Sequence, residues 1–433
     1  METILRFAKK LIPRWLLSFV QPTYHYVLAF LGALVYRFPS KEIKVVAVTG
    51  TKGKTSTVEF INTLLETAGF KTALAGTLRF KIGEESKPNL FKMTMPGRFF
   101  IQNFLRKAVK AGCDYAVVEM SSEASKQYRH KFIDLDALVF TNLAPEHIES
   151  HGGYDKYKEA KLNIARALQN SCKKEKIIIA NFDDKEGQKF LNITVDKNIS
   201  YSLTEAENIS LKNDGVVFSY KKMIFRSKMM GEFNIYNMLG AIKFAETQGI
   251  GLEICQKGIE KLEEIKGRVQ KIQYGQKFDV VVDYAHTPDS LKALYVAFSD
   301  SKKICVLGNC GGGRDKWKRK EMALIAEKYC DEIILTDEDP YDDDPKSIVE
   351  DMAEEIKNKK PEIVMDRREA IALGIKRAGD IVRIIPQKVA VLITGKGTDP
   401  YIMRANGKKE KWSDADVARE ELELDYKQYM KKL

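Results

Sequence analysis

The sequence predicts an α/β protein with a mostly parallel sheet, built as two successive domains behind a short helical N-terminal segment. Three observations carry this. Short apolar runs alternate with stretches of helical length. One such run, "VVAVTG", leads straight into a glycine-rich turn. A second alternating series begins after "KGRVQKI". Runs that are apolar at every position are strands covered on both faces.

The elements follow in chain order. Residues 4–15 form an amphipathic helix on a helical wheel: Ile4, Leu5, Phe7, Leu11, Ile12 and Trp15 share one face, and Arg6, Lys9, Lys10 and Arg14 share the other. Pro13 is expected to break or kink it. The apolar stretch "YHYVLAFLGALVY", 24–36, is too short to span a bilayer and is flanked by Arg37. A signal peptide fits poorly, because the charged start is long and no small-residue cleavage site follows. Two readings stay open for residues 1–42. One is a helical hairpin packed on the body. The other is a basic segment lying on an anionic membrane surface.

From residue 43, "IKVVAVTG", "DYAVVEM", "DALVFTNL" and "KIIIANFDD" read as buried strands. Around 191–230 the runs are short and broken by polar residues, which predicts an antiparallel edge or small subsheet. "GEFNIYNMLGAIKFAETQG" reads as a helix closed by glycine. "FDVVVDYA", "KKICVLGN", "EIILTDED" and "KVAVLITGKG" form the second strand series, and the charged last stretch reads as a surface helix. The expected domains are 1–42, 43–267 and 268–433.

Composition narrows the class. The chain has 433 residues, 44% hydrophobic and 30% charged, an ordinary globular balance. Its net charge of +11 suits anionic partners, although a lysine-rich solvated surface gives the same number. No recognition motif or aromatic platform supports nucleic-acid binding. Six scattered cysteines without a C-x-x-C pair read as reduced thiols of a cytoplasmic protein, with neither zinc nor disulfides indicated.

The turn itself is G-x-x-G-K-T: Gly50, Thr51, Lys52, Gly53, Lys54 and Thr55, followed by Ser56. The usual phosphate loop would need glycine at 48, where Val48 stands. The strand–turn–helix context is nevertheless the right one. Glycines let backbone amides converge on phosphate, and the helix N-terminus adds partial positive charge. Lys54 reaches terminal phosphates, and the Thr55 hydroxyl suits Mg²⁺. A central P-loop-type ATPase domain is expected, with a Rossmann-like domain after it. Glu119, at the end of "DYAVVE", is positioned to hold the metal, and His147 and His151 cluster after the next strand.

With "GTKGKTST", "EMSSEASKQYR", "TNLAPEHIESHG", "YKEAKL", "GEFNIYNMLGAI", "VVDYAHTPDSL", "LGNCGGGRDKWKR", "DRREAI", "LITGKG" and "WSDADVARE" in order, the chain resembles the Mur ligase family over residues 43–425. The branch it is most similar to is the one that adds the third amino acid to a muramoyl dipeptide. The resemblance implies ATP, two Mg²⁺ ions and an ADP-forming amide ligase. It assigns ATP and Mg²⁺ to the loop, Mg²⁺ to Glu119 and His147, and carbamylation to Lys161. A carbamylated lysine is a carboxylate and therefore a hard ligand. Asn234 and Asn237 match an adenine–ribose pair, Arg268 a hinge arginine reaching the γ-phosphate, and Asp283, Tyr284 and His286 the "DYAH" segment. Asn309, Gly311 and Arg314 resemble a loop near nucleotide and amino acid. Thr94, Ser121, Gln127 and Arg129 match acceptor contacts, and Asp339, Asp342 and Asp399 fall in the donor segments.

The implied reaction activates an acceptor carboxylate as an acyl phosphate, which the incoming amine then attacks. Closure of the C-terminal domain would exclude water.

Four departures matter. Only 42 residues precede the first strand, where muramoyl ligases carry a uridine-nucleotide-binding domain. Glu123 replaces a common histidine and Glu146 the usual aspartate. "DEDPYDDDP" has Tyr341 in place of the arginine of D-N-P-R, and "GKGTDP" replaces G-K-G-H-E. Loss of that arginine within an acidic run favours a donor with a distal cation, such as lysine or ornithine. Residues 1–42 could then hold the enzyme at the inner face of the membrane. Two alternatives stay open: a folate-polyglutamate or cyanophycin-type ligase, and a membrane-associated nucleotide-binding protein without catalysis.

Overall fold

The computed structural model describes residues 14–430 except 147, 213, 314 and 315, with side chains from residue 20 on. The amphipathic stretch 4–15, His147 and Arg314 therefore lie outside the residues whose side chains are described. The first described helix, α1 (Arg14–Val35), contains Pro22, which removes one backbone donor without ending it.

Two compact units divide the described chain. The first comprises the described part of Met1–Leu143, with Asp155–Ser202 and Leu239–Cys255. Its sheet uses β1 (Lys44–Thr49), β2 (Thr72–Ala75), β3 (Arg79–Ile82), β4 (Glu85–Pro88), β5 (Tyr115–Glu119), β6 (Ala137–Phe140), β7 (Ile177–Asn181) and β8 (Lys197–Tyr201). The spatial order is β4-β3-β2-β5-β1-β6-β7-β8. Only β3 and β4 run antiparallel to their neighbours. The strands anticipated from apolar runs occupy the centre, and Val45, Val46, Ala47 and Val48 are fully buried. β4 is exposed throughout, so no apolar run announced it. Helices α2 (Lys54–Thr67), α3 (Arg98–Lys110) and α4 (Tyr154–Gln169) follow their strands. α5 (Glu232–Thr247) ends before Gly249, which has φ 76°. The Gly249 amide donates to Glu246 O and the Ile250 amide to Ala245 O, which closes the helix as its glycine predicts.

The second unit comprises Ala144–Tyr154, Leu203–Met238 and Gln256–Leu433. β9 (Glu207–Lys212), β10 (Gly215–Tyr220) and β11 (Met223–Ser227) make the small antiparallel sheet expected around 191–230. The larger sheet runs β12-β13-β17-β14-β15-β16, from β12 (Gln270–Lys271), β13 (Asp279–Asp283), β14 (Lys302–Leu307), β15 (Glu332–Leu335), β16 (Glu362–Ile363) and β17 (Val389–Thr394). All its pairings are parallel except β12 with β13. A last hairpin joins β18 (Tyr401–Met403) to β19 (Lys409–Lys411). Helices α6 (Pro288–Ala297), α7 (Trp317–Tyr329), α8 (Arg367–Ile384) and α9 (Asp414–Met430) complete the unit. α9 is the expected C-terminal helix. Its first residue, Asp414, takes a bidentate pair from Arg367, with both side chains essentially inaccessible.

One sequence expectation is corrected. Cys305 and Cys330 are disulfide-bonded, whereas Cys113, Cys172, Cys255 and Cys310 are free. Cys305 lies on β14 and Cys330 precedes β15, the adjacent strand. Neighbouring strands bring together cysteines 25 residues apart, which no local spacing pattern reveals.

Candidate active site

The sheet topology of the first unit explains its site. β1 lies between β5 and β6, in register Val48 with Glu119 and Thr49 with Phe140. Three strand ends therefore converge: the loop after β1, Glu119 on β5, and Thr141 with Asn142 after β6. Asn142 clamps the loop. Its carbonyl accepts from the Thr51 amide at 2.8 Å and its side-chain oxygen from the Lys52 amide at 2.8 Å. The Thr141 hydroxyl donates to Lys52 O at 2.6 Å.

Gly50 has φ 155°, and a Cβ there would lie 1.9 Å from Thr141 Oγ1. Gly53, with φ 78°, precedes α2, and no side chain caps that helix. Both glycines are thus required by backbone geometry. Lys54 Nζ folds over the loop to Thr51 O at 2.9 Å.

Glu119 is buried at 1% exposure. It accepts from Thr55 Oγ1 at 3.1 Å, from the Thr77 amide at 2.9 Å and from Thr77 Oγ1 at 2.9 Å. Thr94 Oγ1 is 2.9 Å from Thr77 Oγ1, so it joins the same group. Thr77, which orients Glu119, carried no sequence signal. All these partners are neutral, and a buried carboxylate without counter-charge is costly. The residues fit Mg²⁺: two adjacent hard oxygens, the Thr55 hydroxyl and a Glu119 carboxyl oxygen. Among the described residues, no group of three or more His, Cys, Asp or Glu could hold a metal. Lys161, on α4, is buried at 1% exposure. Its Nζ donates to Gly50 O and stands 4.8 Å over the Tyr157 ring, while Tyr157 Oη is 2.9 Å from Thr51 Oγ1.

The acceptor candidates form a second group in this unit. Gln127 donates to Glu123 at 2.7 Å and accepts from Arg129 at 2.7 Å. Arg129 also donates to Met95 O, and Arg98 donates to Gln127 O at 2.6 Å. Burial holds both guanidinium pKa values below their usual range, and Arg129's charge lowers that of Arg98 further. Both guanidiniums thus meet at Gln127, with Glu123 as the nearby carboxylate. Sequence reading missed Arg98, one residue past the "TMPG" match. Ser121 is engaged as a helix cap, accepting from the Ala124 amide.

In the second unit, Asn234 donates to Met230 O at 2.7 Å and Asn237 to Asn234 Oδ1 at 3.0 Å. Asp283 spends one oxygen on the Val269 amide and the other on the Ala285 amide, each at 2.7 Å. It thereby fixes the turn carrying Arg268, whose guanidinium lies 4.7 Å over the Tyr284 ring. His286 faces two acceptors, Tyr284 O at 2.7 Å and Glu146 Oε1 at 3.0 Å. These two contacts hold the ring between the two segments.

The donor-segment acids are already occupied. Asp339 accepts from Lys396 Nζ and the Met403 amide at 2.8 Å each, and Asp399 lies 3.4 Å from the same Lys396. Asp342 accepts from the Asn406 amide, and Asp344 caps the helix Pro345–Ala353. A different carboxylate stands out. Glu338 is 2% exposed; one oxygen accepts from Cys310 Sγ at 3.1 Å and the other, Oε2, has no hydrogen-bond partner. Burial pushes its pKa up. It lines a cavity of about 270 Å³ with Glu149, His286, Asn309, Cys310 and Lys318. A larger cleft of about 1000 Å³, beside Phe233, Tyr236 and Lys271, contains none of the predicted site residues.

Residues 48–245 match the Mur ligase middle domain, and residues 267–397 match the Mur ligase glutamate ligase domain. The UDP-N-acetylmuramoyl-L-alanyl-D-glutamate–2,6-diaminopimelate ligase of Syntrophomonas wolfei is 36% identical, over 86% of this chain and 77% of that protein. The enzyme of the same name from Bacillus cereus is 34% identical, over 91% and 81%. A solved structure of a ligase of that name superposes with TM-score 0.62 and 28% identity, covering 92% of this chain and 83% of the other. With both domains matched in order and 36% identity to such a relative across the aligned residues, the chain belongs to the Mur ligase family.

Proposed function

We propose that the chain is an ATP-dependent peptide ligase of cell-wall synthesis, joining an amino acid to a muramoyl-peptide-like carboxylate through an acyl phosphate. One observation carries the reading: the buried Glu119 carboxylate beside Thr55, at the mouth of an uncapped phosphate loop. ATP phosphates would lie on the loop amides and Lys54. Thr55 and Glu119 would hold Mg²⁺, which offsets charge on the transferring phosphoryl group. The acceptor carboxylate, oriented by Arg98 and Arg129, attacks the γ-phosphorus and ADP leaves. The amine then attacks the acyl carbon, and phosphate leaves as the amide forms. Lys161 would add CO₂ at its neutral amine, lose a proton and become a carbamate facing the loop, a ligand for a second Mg²⁺ together with His147. The relatives' names speak for this branch over the folate-type and non-catalytic alternatives.

The donor would carry a distal cation. Tyr341 stands where D-N-P-R has arginine, and Glu338 offers a partnerless oxygen at a cavity that also contains Lys318. An amino acid could set its carboxylate on Lys318 and its distal ammonium on Glu338. A second reading, diaminopimelate, is favoured by the names of the relatives.

The test is phosphate release and amide formation across a panel of amino acids, with UDP-linked, lipid-linked and free dipeptide acceptors. Release should require both substrates, and lysine or ornithine should outcompete diaminopimelate. Preference for diaminopimelate would refute the donor assignment alone. Phosphate release without amide formation would refute the ligase reading. Lys161→Ala should lose nearly all turnover and regain part with added short-chain carboxylates; unchanged turnover would remove the carbamate.

A further inference from the structure

We propose that the outward face of α1 docks on an anionic lipid surface, with the helix lying in the membrane interface. The inward face of α1 is small. Ala29 and Ala33 are buried, and a Cβ added at Gly32 would lie 3.4 Å from Arg98 O on α3. This side is already covered. The opposite face carries Val20, Tyr24, Val27, Leu31, Leu34 and Val35, all exposed, from 40% at Leu31 to 62% at Val35. At 100° per residue these six fall within about 100° of arc. No Asp, Glu, Lys or Arg occurs from residue 15 to residue 36. Six large apolar side chains on one helix face are costly to leave in water, and among the described residues nothing covers this face.

The charges flanking α1 choose the occupant. Between residues 3 and 41 there are six cations, Arg6, Lys9, Lys10, Arg14, Arg37 and Lys41, and no acid. A second copy would bring this charge against itself, whereas anionic headgroups would neutralise it. No helix among the described residues is long and apolar enough to cross a membrane. The segment therefore lies on the surface rather than through it. The site follows from this placement. The Tyr26 ring is 5.1 Å from Phe132 and 6.4 Å from Tyr128, next to Arg129, and Gly32 faces the Arg98 backbone so closely that a Cβ there would lie 3.4 Å from Arg98 O. If the acceptor site is as proposed above, acceptor carboxylates are captured beside the lipid surface.

The test is flotation of the full chain with vesicles of phosphatidylcholine, alone or mixed with phosphatidylglycerol. Binding to the mixed vesicles should exceed binding to the neutral ones by at least about tenfold and fall at high salt. Val27→Glu/Leu31→Glu should weaken it by about tenfold or more, with melting temperature and ligase activity on a soluble acceptor unchanged. Val20→Ser/Leu34→Ser, which adds no charge, should weaken it in the same direction. Failure of the full chain to float with anionic vesicles overturns the proposal. So does undiminished binding by both variants, or a dimer in solution that Val27→Glu/Leu31→Glu converts to monomer. Because the readout is lipid binding, none of these outcomes bears on the ligase assignment.

Discussion

Gly50→Ala tests the phosphate loop most directly. The substitution puts a side chain at φ 155°, outside the region open to alanine, and points its Cβ at Thr141 Oγ1, 1.9 Å away. Holding a non-glycine residue in such a conformation costs about 1–3 kcal/mol. Relieving the overlap means moving Thr141, whose hydroxyl donates to Lys52 O at 2.6 Å, and losing that bond costs about 1 kcal/mol more. The Asn142 amide, 3.1 Å from the new Cβ, resists further adjustment because it is backbone. The sum is about 2–4 kcal/mol, equivalent to roughly 30- to 1,000-fold at a tenfold change per 1.4 kcal/mol. Most of it should appear as a fall in kcat/KM for ATP, because the strain lies where the loop amides must converge. The assay is ADP formation at saturating acceptor and amine, with thermal unfolding run alongside. Adding Thr141→Ala removes the overlap but not the cost of the lost hydroxyl bond, so it should leave the double variant still about 30-fold or more below wild type through the backbone strain and that bond. Wild-type kcat/KM in Gly50→Ala would mean that the loop does not hold phosphate as described. Full recovery in the double variant would mean that φ carries no strain.

Other perturbations have equally definite outcomes. Asp414→Ala leaves the buried Arg367 cation unpaired and should cost about 3–5 kcal/mol in urea unfolding, whereas Arg367→Met/Asp414→Leu should cost less than either single change; a loss under about 1 kcal/mol in Asp414→Ala would refute the pairing. His130 is fully buried, neither ring nitrogen has a partner, and burial pulls its pKa down to about 3 from 6.5. The unfolded chain therefore takes up this proton first: stability is intact above pH 6.5 and falls between pH 6.5 and about 3, by up to about 1.4 kcal/mol per pH unit. His130→Gln should flatten that part of the stability profile, and an unchanged slope would contradict it. Denatured without reductant, the chain should expose four reactive thiols, and six after reduction; six without reductant would restore the all-thiol reading.

The sequence made some of this legible and hid the rest for identifiable reasons. Central strands such as β1 and β14 are apolar at nearly every position because both faces are covered, so they stand out. β12 and β16 have two residues each and β4 is exposed throughout, so no burial pattern marks them. At the candidate site, positions tied to a local motif were readable: Lys54 and Thr55 open the helix after β1, and Glu119 ends β5. Thr77 and Arg98 act through partners about 30–40 residues away, and nothing local announces such a pairing. The Cys305–Cys330 pair escaped for the same reason.

The donor segment shows how counting charges misleads and counting hydrogen-bond capacity does not. "DEDPYDDDP" reads as an acidic cluster open to a cationic side chain. In the fold, Asp339 answers Lys396 and a backbone amide, Asp342 answers the Asn406 amide, and Asp344 caps a helix. Asp283 likewise gives both oxygens to backbone amides. These carboxylates shape loops, and their charge is already answered. Glu338 differs, because burial has removed its water and the fold has left one oxygen unanswered. A buried acceptor without a partner costs about 1–3 kcal/mol, which a ligand ammonium could return. Glu119 differs in another way: its hydrogen-bond partners are neutral, the hydroxyls of Thr55 and Thr77 and the Thr77 amide, which is why it is the oxygen proposed above for Mg²⁺. Within the acidic run, Glu338 is thus set apart from its neighbours by the oxygen that the fold leaves without a hydrogen bond.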